Sequence, residues 1–118
     1  MKILVVDDDS LAAEMTGAVL ESAGHAVVIS ENGIEAMEML EADSGIALVV
    51  SDLNMPLCSG IELFETLRGQ GNKVPFILLT GDDPQKALSA APGLDGCVMK
   101  DASLDESLPA VLGRLFPN

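Results

Sequence analysis

The stretch LVVSDLNMPLCSG, residues 48–60, combines a buried strand with the residues that end it. Its apolar run begins at residue 46 and lacks the alternation of a half-exposed strand, so it predicts a strand buried on both faces. The run ends at a single carboxylate, Asp52, and Asn54 and Pro56 follow within four residues. The stretch therefore predicts a strand of a covered parallel sheet with an ionisable group at its carboxyl end.

An apolar run followed by a helical pattern occurs five times along the chain. The predicted strands cover 3–6, 26–30, 46–50, 74–79 and 96–99, and the predicted helices cover 10–22, 33–40, 58–68, 84–91 and 103–116. Ser10 is the expected N-cap of the first helix and Gly24 its expected C-cap. This alternation predicts an α/β fold, a parallel five-stranded sheet with helices on both faces, and right-handed crossovers leave few topologies. No linker or repeat divides the chain, so residues 1–118 are expected to form a single domain.

Composition excludes several classes of partner. The 118 residues are 48% apolar and carry a net charge of −13, which argues against disorder and against lasting contact with nucleic acid or anionic lipid. Cys58 and Cys97 lack CxxC spacing and no signal peptide is evident, so both thiols are expected to be reduced. The apolar runs are too short to span a membrane. We therefore expect a soluble, cytoplasmic protein.

Polar residues follow the predicted strands at the edge where open α/β sheets bind ligands. These residues are Asp7, Asp8 and Asp9 after the first strand, Asp52 after the third, Thr80, Gly81 and Asp82 after the fourth, and Lys100 after the fifth. If the first and third strands are neighbours, Asp7, Asp8 and Asp52 converge. Two carboxylates about 4 Å apart repel by roughly 4 kcal/mol at an effective dielectric constant near 20, which a hard divalent cation would offset.

Carboxylates and a backbone carbonyl are oxygen ligands of the kind that suit Mg²⁺, which keeps part of its hydration shell. A carboxylate can also act as a nucleophile and form an aspartyl phosphate when cations neutralise the transferred group. Lys100 could supply a fixed positive charge, and the Thr80 hydroxyl could donate a hydrogen bond to a phosphoryl oxygen. Gly81 would leave the approach open.

Four segments together resemble the receiver domain of bacterial two-component response regulators, the CheY-like family. They are ILVVDDDS at 3–10, SDLNMPLCSG at 51–60, ILLTGDD at 77–83 and GCVMKD at 96–101, and they extend over essentially the whole chain in the family's order and spacing. The resemblance implies a flavodoxin-like (βα)5 three-layer sandwich with strand order 2-1-3-4-5, which is the order known for the chemotaxis receiver.

The resemblance also implies a role for each matching residue. Asp52 is the phosphoacceptor, and Asp8 and Asp52 ligate Mg²⁺ together with the Asn54 carbonyl. Asp7 orients a metal-bound water, Thr80 is the switch hydroxyl, and Lys100 pairs with the phosphoryl group. A sensor histidine kinase or a histidine phosphotransfer protein would be the donor. Such a domain catalyses only its own phosphorylation and dephosphorylation.

The output implied by the resemblance is a change in protein contacts, with an output protein that the sequence does not identify. Because the sequence ends at Asn118 without a DNA-binding or enzymatic domain, we expect a diffusible regulator or a phosphorelay intermediate. Asn54 and Asp82 each lie two residues beyond a site residue, Asp52 and Thr80 respectively. This arrangement is compatible with an oriented hydrolytic water and predicts a short-lived phosphoform.

Three features depart from the family pattern. Cys97 stands where many receivers have an aromatic ring, which predicts either weaker coupling between phosphorylation and output or coupling carried by backbone movement. Asp101 follows Lys100 where most receivers have proline, so the bond between them is expected to be trans. Pro92 should end the fourth helix early, and Pro109 falls inside the fifth. That fifth helix could begin with a capping box at 103–106 or start at Ser107 with the proline in its first turn.

Two alternative functions remain open on the sequence. VVDDDSL at 5–11 and TGDD at 80–83 imitate motifs of haloacid-dehalogenase phosphatases, in which Asp7 would be the nucleophile, although Leu11 and the position of the lysine do not fit. A receiver that docks partners without being phosphorylated is the second alternative. Asp9 and Asp83 are expected to be solvated, and each acidic turn taken alone could be a simple turn or helix-start residue.

Overall fold

The computed structural model describes residues 1–117 as five strands alternating with five helices. The strands are β1 (Lys2–Val6), β2 (Ala26–Ser30), β3 (Ile46–Asp52), β4 (Phe76–Thr80) and β5 (Gly96–Met99). The helices are α1 (Ser10–Ser22), α2 (Gly33–Ala42), α3 (Gly60–Gly69), α4 (Pro84–Ala90) and α5 (Leu104–Leu115). No helix in this range is long and apolar enough to cross a membrane.

All five strands are parallel and lie in the order β2-β1-β3-β4-β5, which confirms the predicted flavodoxin-like topology. In this order β1 lies between β2 and β3, with Val6 opposite Ser51. Asp52 is opposite Leu79, and Thr80 is opposite Met99. The carboxyl ends of β1, β3, β4 and β5 therefore lie side by side, as the convergence of the candidate residues required.

The sheet separates two apolar layers, because successive strand residues point to opposite faces. On one face Leu4, Val49, Phe76 and Leu78 pack in a buried cluster with residues of α2, α3 and α4. On the other face the buried strand residues pack against α1 and α5. The Phe64 and Phe76 rings meet edge to face, with centroids 5.4 Å apart. The result is the expected three-layer sandwich.

The prediction that Ser10 caps α1 was wrong. The N-cap is Asp9, whose carboxylate accepts hydrogen bonds from the backbone N–H groups of Leu11 and Ala12, and Ser10 is the first helical residue. Asp9 is the better cap because its carboxylate accepts hydrogen bonds from two otherwise unpaired backbone N–H groups and places negative charge at the helix N-terminus. At the other end the C-cap is Ala23 and not the expected Gly24, which follows it with a φ of 93°, the left-handed conformation in which glycine ends a helix one residue beyond the cap.

Three boundaries near the site differ from the predicted ones. The strands β3 and β4 extend to Asp52 and Thr80, so these two residues end their strands instead of following them. The helix α3 begins at Gly60, two residues later than predicted, because Ser59 and Glu62 form a reciprocal capping box. The Ser-x-x-Glu spacing of residues 59–62 is the sequence signal for this helix start.

Of the two predicted starts of α5, the start at Ser107 was wrong, and the alternative with Ser103 as N-cap is confirmed in position but not in its capping box. The helix begins at Leu104, and Ser103 precedes it without a side-chain capping bond. With φ −94° and ψ 8°, Ser103 lacks the extended backbone that aims a capping hydroxyl at the third helical N–H group. Pro109 lies inside the helix. All peptide bonds within residues 1–117 are trans, which confirms the expectation for the bond between Lys100 and Asp101.

Candidate functional site

Three carboxylates come together at the carboxyl ends of β1 and β3. Asp7 directly follows β1 and is only 2% exposed, Asp52 ends β3 at 8% exposure, and Asp8 is exposed. One oxygen from each carboxylate lies within 4.8 Å of the others. Their convergence was predicted from the expected neighbourhood of the first and third strands, and the sheet order is what produces it.

Asp7 is held from two directions. Its backbone N–H donates to the Ser30 carbonyl at 3.1 Å, and its Oδ1 accepts a 3.0 Å hydrogen bond from the Asp9 backbone N–H. These bonds tie Asp7 to β2 on one side and to the start of α1 on the other. Its second carboxylate oxygen, Oδ2, is left to face the site.

Lys100 reaches the same place from the end of β5. Its Nζ lies 2.7 Å from Asp7 Oδ2 and 3.2 Å from Asp52 Oδ1, so one ammonium group bridges two buried carboxylates. The Lys100 backbone N–H donates to the Thr80 carbonyl at 2.7 Å, which fixes the lysine against the neighbouring strand. Three strands that are distant in sequence therefore contribute to one charge cluster.

Burial and charge act against each other in this cluster. Burial raises the pKa of Asp52 above its ordinary value of 3.8; the Lys100 ammonium opposes that rise, and Asp7 and Asp8 add to it. For Lys100, burial lowers the pKa, but the Asp7 hydrogen bond and the nearby Asp52 charge outweigh burial and raise the pKa above 10.5. The lysine therefore stays protonated, while Asp52 gives up its proton less readily than a solvated aspartate.

The donor set fits a hard cation. Three carboxylates around one point leave a negative excess that the single Lys100 charge does not cancel. Mg²⁺ prefers carboxylate, carbonyl and water oxygens and is bound through few protein ligands. Asp7, Asp8 and Asp52 could therefore hold it. Asn54 is exposed in the loop between β3 and α3, and its carbonyl stays a predicted ligand.

Thr80 lies at the end of β4 and is only 1% exposed. Its hydroxyl oxygen accepts a 3.1 Å hydrogen bond from the Asp82 backbone N–H. A Cβ built on Gly81 would meet nothing within 4 Å, consistent with the open approach expected there. Asp82 is exposed; the hydrogen bond that its carboxylate accepts from the Asp83 backbone N–H lowers the pKa of Asp82, and its ion pair with Lys86 at 3.3 Å lowers it further.

The loop after Asp52 depends on one close backbone approach. A Cβ on Gly60 would lie 2.4 Å from the Asp52 carbonyl oxygen and 2.6 Å from Leu78 Cδ1, so only glycine fits there. The Gly60 N–H donates to the Leu53 carbonyl at 2.9 Å, and Met55, within the loop, is buried in the apolar cluster on this face of the sheet. Asp9 and Asp83, expected to be solvated, are exposed and cap α1 and α4.

Comparison with known proteins identifies the family to which the chain belongs. The family model described as the response regulator receiver domain matches residues 3–112. The chain therefore belongs to the receiver-domain family of the response regulators of two-component systems. This assignment confirms the resemblance carried by the four sequence segments, and it favours the receiver over the phosphatase alternative.

Individual relatives agree with that class. The response regulator MprA of Mycobacterium tuberculosis is 34% identical over 122 residues, which cover 99% of this chain and 53% of MprA. The chain thus spans about half the length of the curated relatives it matches. Thermotoga maritima TrrA, solved in complex with Mg²⁺-BeF, superposes with a TM-score of 0.87 at 28% identity over 98% of both chains. Vibrio cholerae chemotaxis protein CheY4 gives 0.83 at 30% identity, also over 98% of both.

Proposed function

We propose that Asp52 accepts a phosphoryl group from a phosphohistidine of a sensor histidine kinase or a histidine phosphotransfer protein. A carboxylate oxygen of Asp52 attacks phosphorus, the new P–O bond forms as the P–N bond breaks, and the imidazole nitrogen keeps the bonding electron pair. The observation that carries this proposal is the Lys100 ammonium, which bridges Asp7 and Asp52 within a cluster of three carboxylates. Packing alone gives no reason to gather those charges.

In this proposal Asp8, Asp52 and the Asn54 carbonyl would hold Mg²⁺, and Asp7 would orient a water on it. When bound, the ion supplies charge neutralisation for the transferring phosphoryl oxygens. The presence of Mg²⁺-BeF in the TrrA structure supports this choice of cation. The buried position of Asp7 and its two backbone hydrogen bonds suit an orienting role.

Thr80 and Lys100 would respond to the new charge on Asp52. Lys100 pairs with a phosphoryl oxygen, and the Thr80 hydroxyl, whose oxygen accepts from the Asp82 N–H, donates its hydrogen to another. Since the Lys100 N–H donates to the Thr80 carbonyl, both residues are linked through the backbone. The charge would bias two conformations and change the protein's contacts with an output protein. Cys97, with no aromatic ring to move, would weaken that coupling.

Intact-mass measurement tests the proposal. Incubation with Mg²⁺ and acetyl phosphate should add about 80 Da to the chain, the mass of one phosphoryl group. The Asp52→Asn variant should gain nothing, whereas Asp9→Asn, which alters an exposed helix cap, should be modified like the wild type. Absence of an adduct on the wild type would instead support a receiver that docks without phosphorylation.

The phosphoform is expected to be short-lived. Asn54 and Asp82 flank the pocket as exposed polar groups that could orient a hydrolytic water, which suggests a lifetime of minutes rather than hours. Decay of the mass adduct after removal of the donor measures it. A phosphoform that persists for a day at neutral pH would contradict this prediction. A cytoplasmic location goes with the proposal and is consistent with the two free thiols, Cys58 and Cys97.

A further inference from the structure

Leu57 has an unusual conformation and exposure. It lies in the loop between β3 and α3, five residues beyond Asp52, and its side chain is 94% exposed. Its φ is +71°, the only positive value at a non-glycine residue in 1–117. A bulky residue is unfavourable in this backbone region, where glycine or asparagine fits readily. The loop therefore presents a large apolar side chain to solvent in a strained conformation, with no buried contact that would explain it.

A second exposed apolar residue lies across a shallow groove from this loop. Ile34, near the start of α2, is 57% exposed, and the groove of about 250 Å³ is lined by residues 32–35, Glu38 and residues 56–58. A Cβ on Gly33 would lie 2.9 Å from Cys58 Sγ, so α2 and the loop are packed closely at the base of the groove. The two apolar side chains are thus presented by elements in direct contact.

The position of the groove restricts what could occupy it. The helix α2 follows β2 and the Leu57 loop follows β3, so both lie at the carboxyl edge of the sheet, where Asp52 is. A donor protein must bring its phosphohistidine into bonding distance of Asp52, so its surface approaches the loops at this edge, and the loop that carries Leu57 is one of them. Glu35 and Glu38 flank the apolar residues, on a protein of net charge −13, and this charge favours a basic partner surface.

We propose that Leu57 and Ile34 form a docking site for the phosphodonor protein, which inserts an apolar side chain flanked by lysine or arginine into the groove. The proposal rests on the phosphorylation of Asp52 argued above. It assigns the strained loop a function: the exposed Leu57 side chain is retained because a partner buries it during transfer. A few residues that become fully desolvated in well-packed pockets near the centre of an interface contribute most of its binding energy.

The experiment compares a protein donor with a small donor. The protein donor is the histidine kinase that labels the chain fastest in a phosphotransfer profile over the purified, autophosphorylated kinases of the source organism, and the small donor is acetyl phosphate. Leu57→Asn removes the apolar side chain and keeps a residue that tolerates positive φ, so the loop retains its shape. Leu57→Gly and Ile34→Ala are the second and third variants. Ile29→Ala, at an exposed position on the edge strand β2, is the matched control.

We expect each of the three groove variants to lower the rate of transfer from the kinase by about tenfold at subsaturating concentration. Labelling by acetyl phosphate should stay within about twofold of the wild-type rate, as should both rates for Ile29→Ala. An unchanged rate of kinase transfer in Leu57→Asn would overturn the proposal, and so would an equal loss with both donors. If the wild type is not labelled by either donor, the proposed phosphorylation itself fails.

The contribution of the two glutamates that line the groove, Glu35 and Glu38, is tested separately. Glu38→Lys reverses one exposed rim charge, so it should slow kinase transfer at low ionic strength, and the difference should shrink as salt screens it. The rate with acetyl phosphate should not change. A faster kinase transfer in Glu38→Lys would mean that the donor surface is acidic at this point and would overturn the assignment of a basic partner.

Discussion

At the scale of single residues, the chemistry of the protein depends on where one lysine lies. Lys100 is the cation within hydrogen-bond distance of both Asp7 and Asp52, and it is anchored by its own backbone N–H to Thr80. Even so, Asp52 has a raised pKa, because burial and the neighbouring carboxylates outweigh the lysine. The ionised form of Asp52 is therefore disfavoured in this site, and either a bound cation or protonation of Asp52 would reduce the repulsion among the carboxylates.

The first prediction concerns the pH dependence of stability without metal. Below pH 3.8 Asp52 is protonated in both the folded and unfolded states; as pH rises, the unfolded state ionises first, and stability falls until the raised folded-state pKa is passed. The amide that replaces the carboxyl group in Asp52→Asn cannot ionise. This substitution should therefore raise the free energy of unfolding at pH 7, and its advantage should shrink toward pH 4. Urea titrations with a metal chelator measure this.

The exposed α1 residue Glu14 provides a control for that titration. Glu14→Gln removes a carboxylate from the surface and should track the wild type across the same pH range, since surface substitutions of this kind change stability little. A lower free energy of unfolding for Asp52→Asn at pH 7 would show that Lys100 stabilises the ionised form more than burial disfavours it.

The second prediction concerns Gly60. A methyl group there would meet the Asp52 carbonyl and Leu78, so Gly60→Ala should reduce the free energy of unfolding by about 2–3 kcal/mol as the loop and strand shift apart. Gly69→Ala is the matched control at the other end of α3: its Cβ would meet nothing within 4 Å, so it should stabilise by about 0.5–1 kcal/mol. Equal effects of the two substitutions in denaturant unfolding would contradict the packing argument.

At the scale of elements, the helix ends show how local signals compete. Four helices begin with a side-chain cap that a sequence motif could indicate: Asp9 for α1, Asn32 for α2, Ser59 for α3 and Asp83 for α4. The helix α5 begins after Ser103 without one, although the Ser-x-x-Glu pattern is present. The motif forms a cap only when the backbone of the N-cap residue itself is extended, and tertiary packing decides that backbone geometry.

The third prediction concerns Pro109 in α5. Proline at this sixth helical position cannot donate to the Asp105 carbonyl and crowds it, so Pro109→Ala should stabilise the protein by roughly 1–3 kcal/mol. Thermal and denaturant unfolding measure the gain. Gly113→Ala in the same helix, which would meet nothing within 4 Å, should yield only about 1 kcal/mol from helix propensity. A Pro109→Ala variant no more stable than the wild type would mean that the helix has already adjusted its path around the ring.

At the scale of the whole molecule, the net charge of −13 opposes the compact state and the acidic cluster concentrates that effect. Added salt should therefore raise the free energy of unfolding by screening. A divalent cation that binds the folded state should do more than salt alone, because specific binding adds its own free energy to stability.

The fourth prediction separates these two effects. Mg²⁺ at about a hundred times its dissociation constant should raise the free energy of unfolding by about 2.7 kcal/mol beyond NaCl of equal ionic strength. Asp8→Asn removes an exposed carboxylate of the cluster and should lose this excess while keeping the response to NaCl. An equal Mg²⁺ response in Asp8→Asn and the wild type would exclude Asp8 as a ligand.

The sequence by itself determined the alternation of strands and helices, the parallel sheet and the set of polar residues at its edge. These follow from hydrophobic periodicity and from residues that lie close together in the chain, such as Asp7 and Asp8 after β1. Only the tertiary structure decided that Lys100 bridges Asp7 and Asp52, that Gly60 must approach the Asp52 carbonyl, and that Leu57 has a positive φ beside Ile34. These contacts join residues brought together by strand order and loop packing, which local patterns along one chain do not specify.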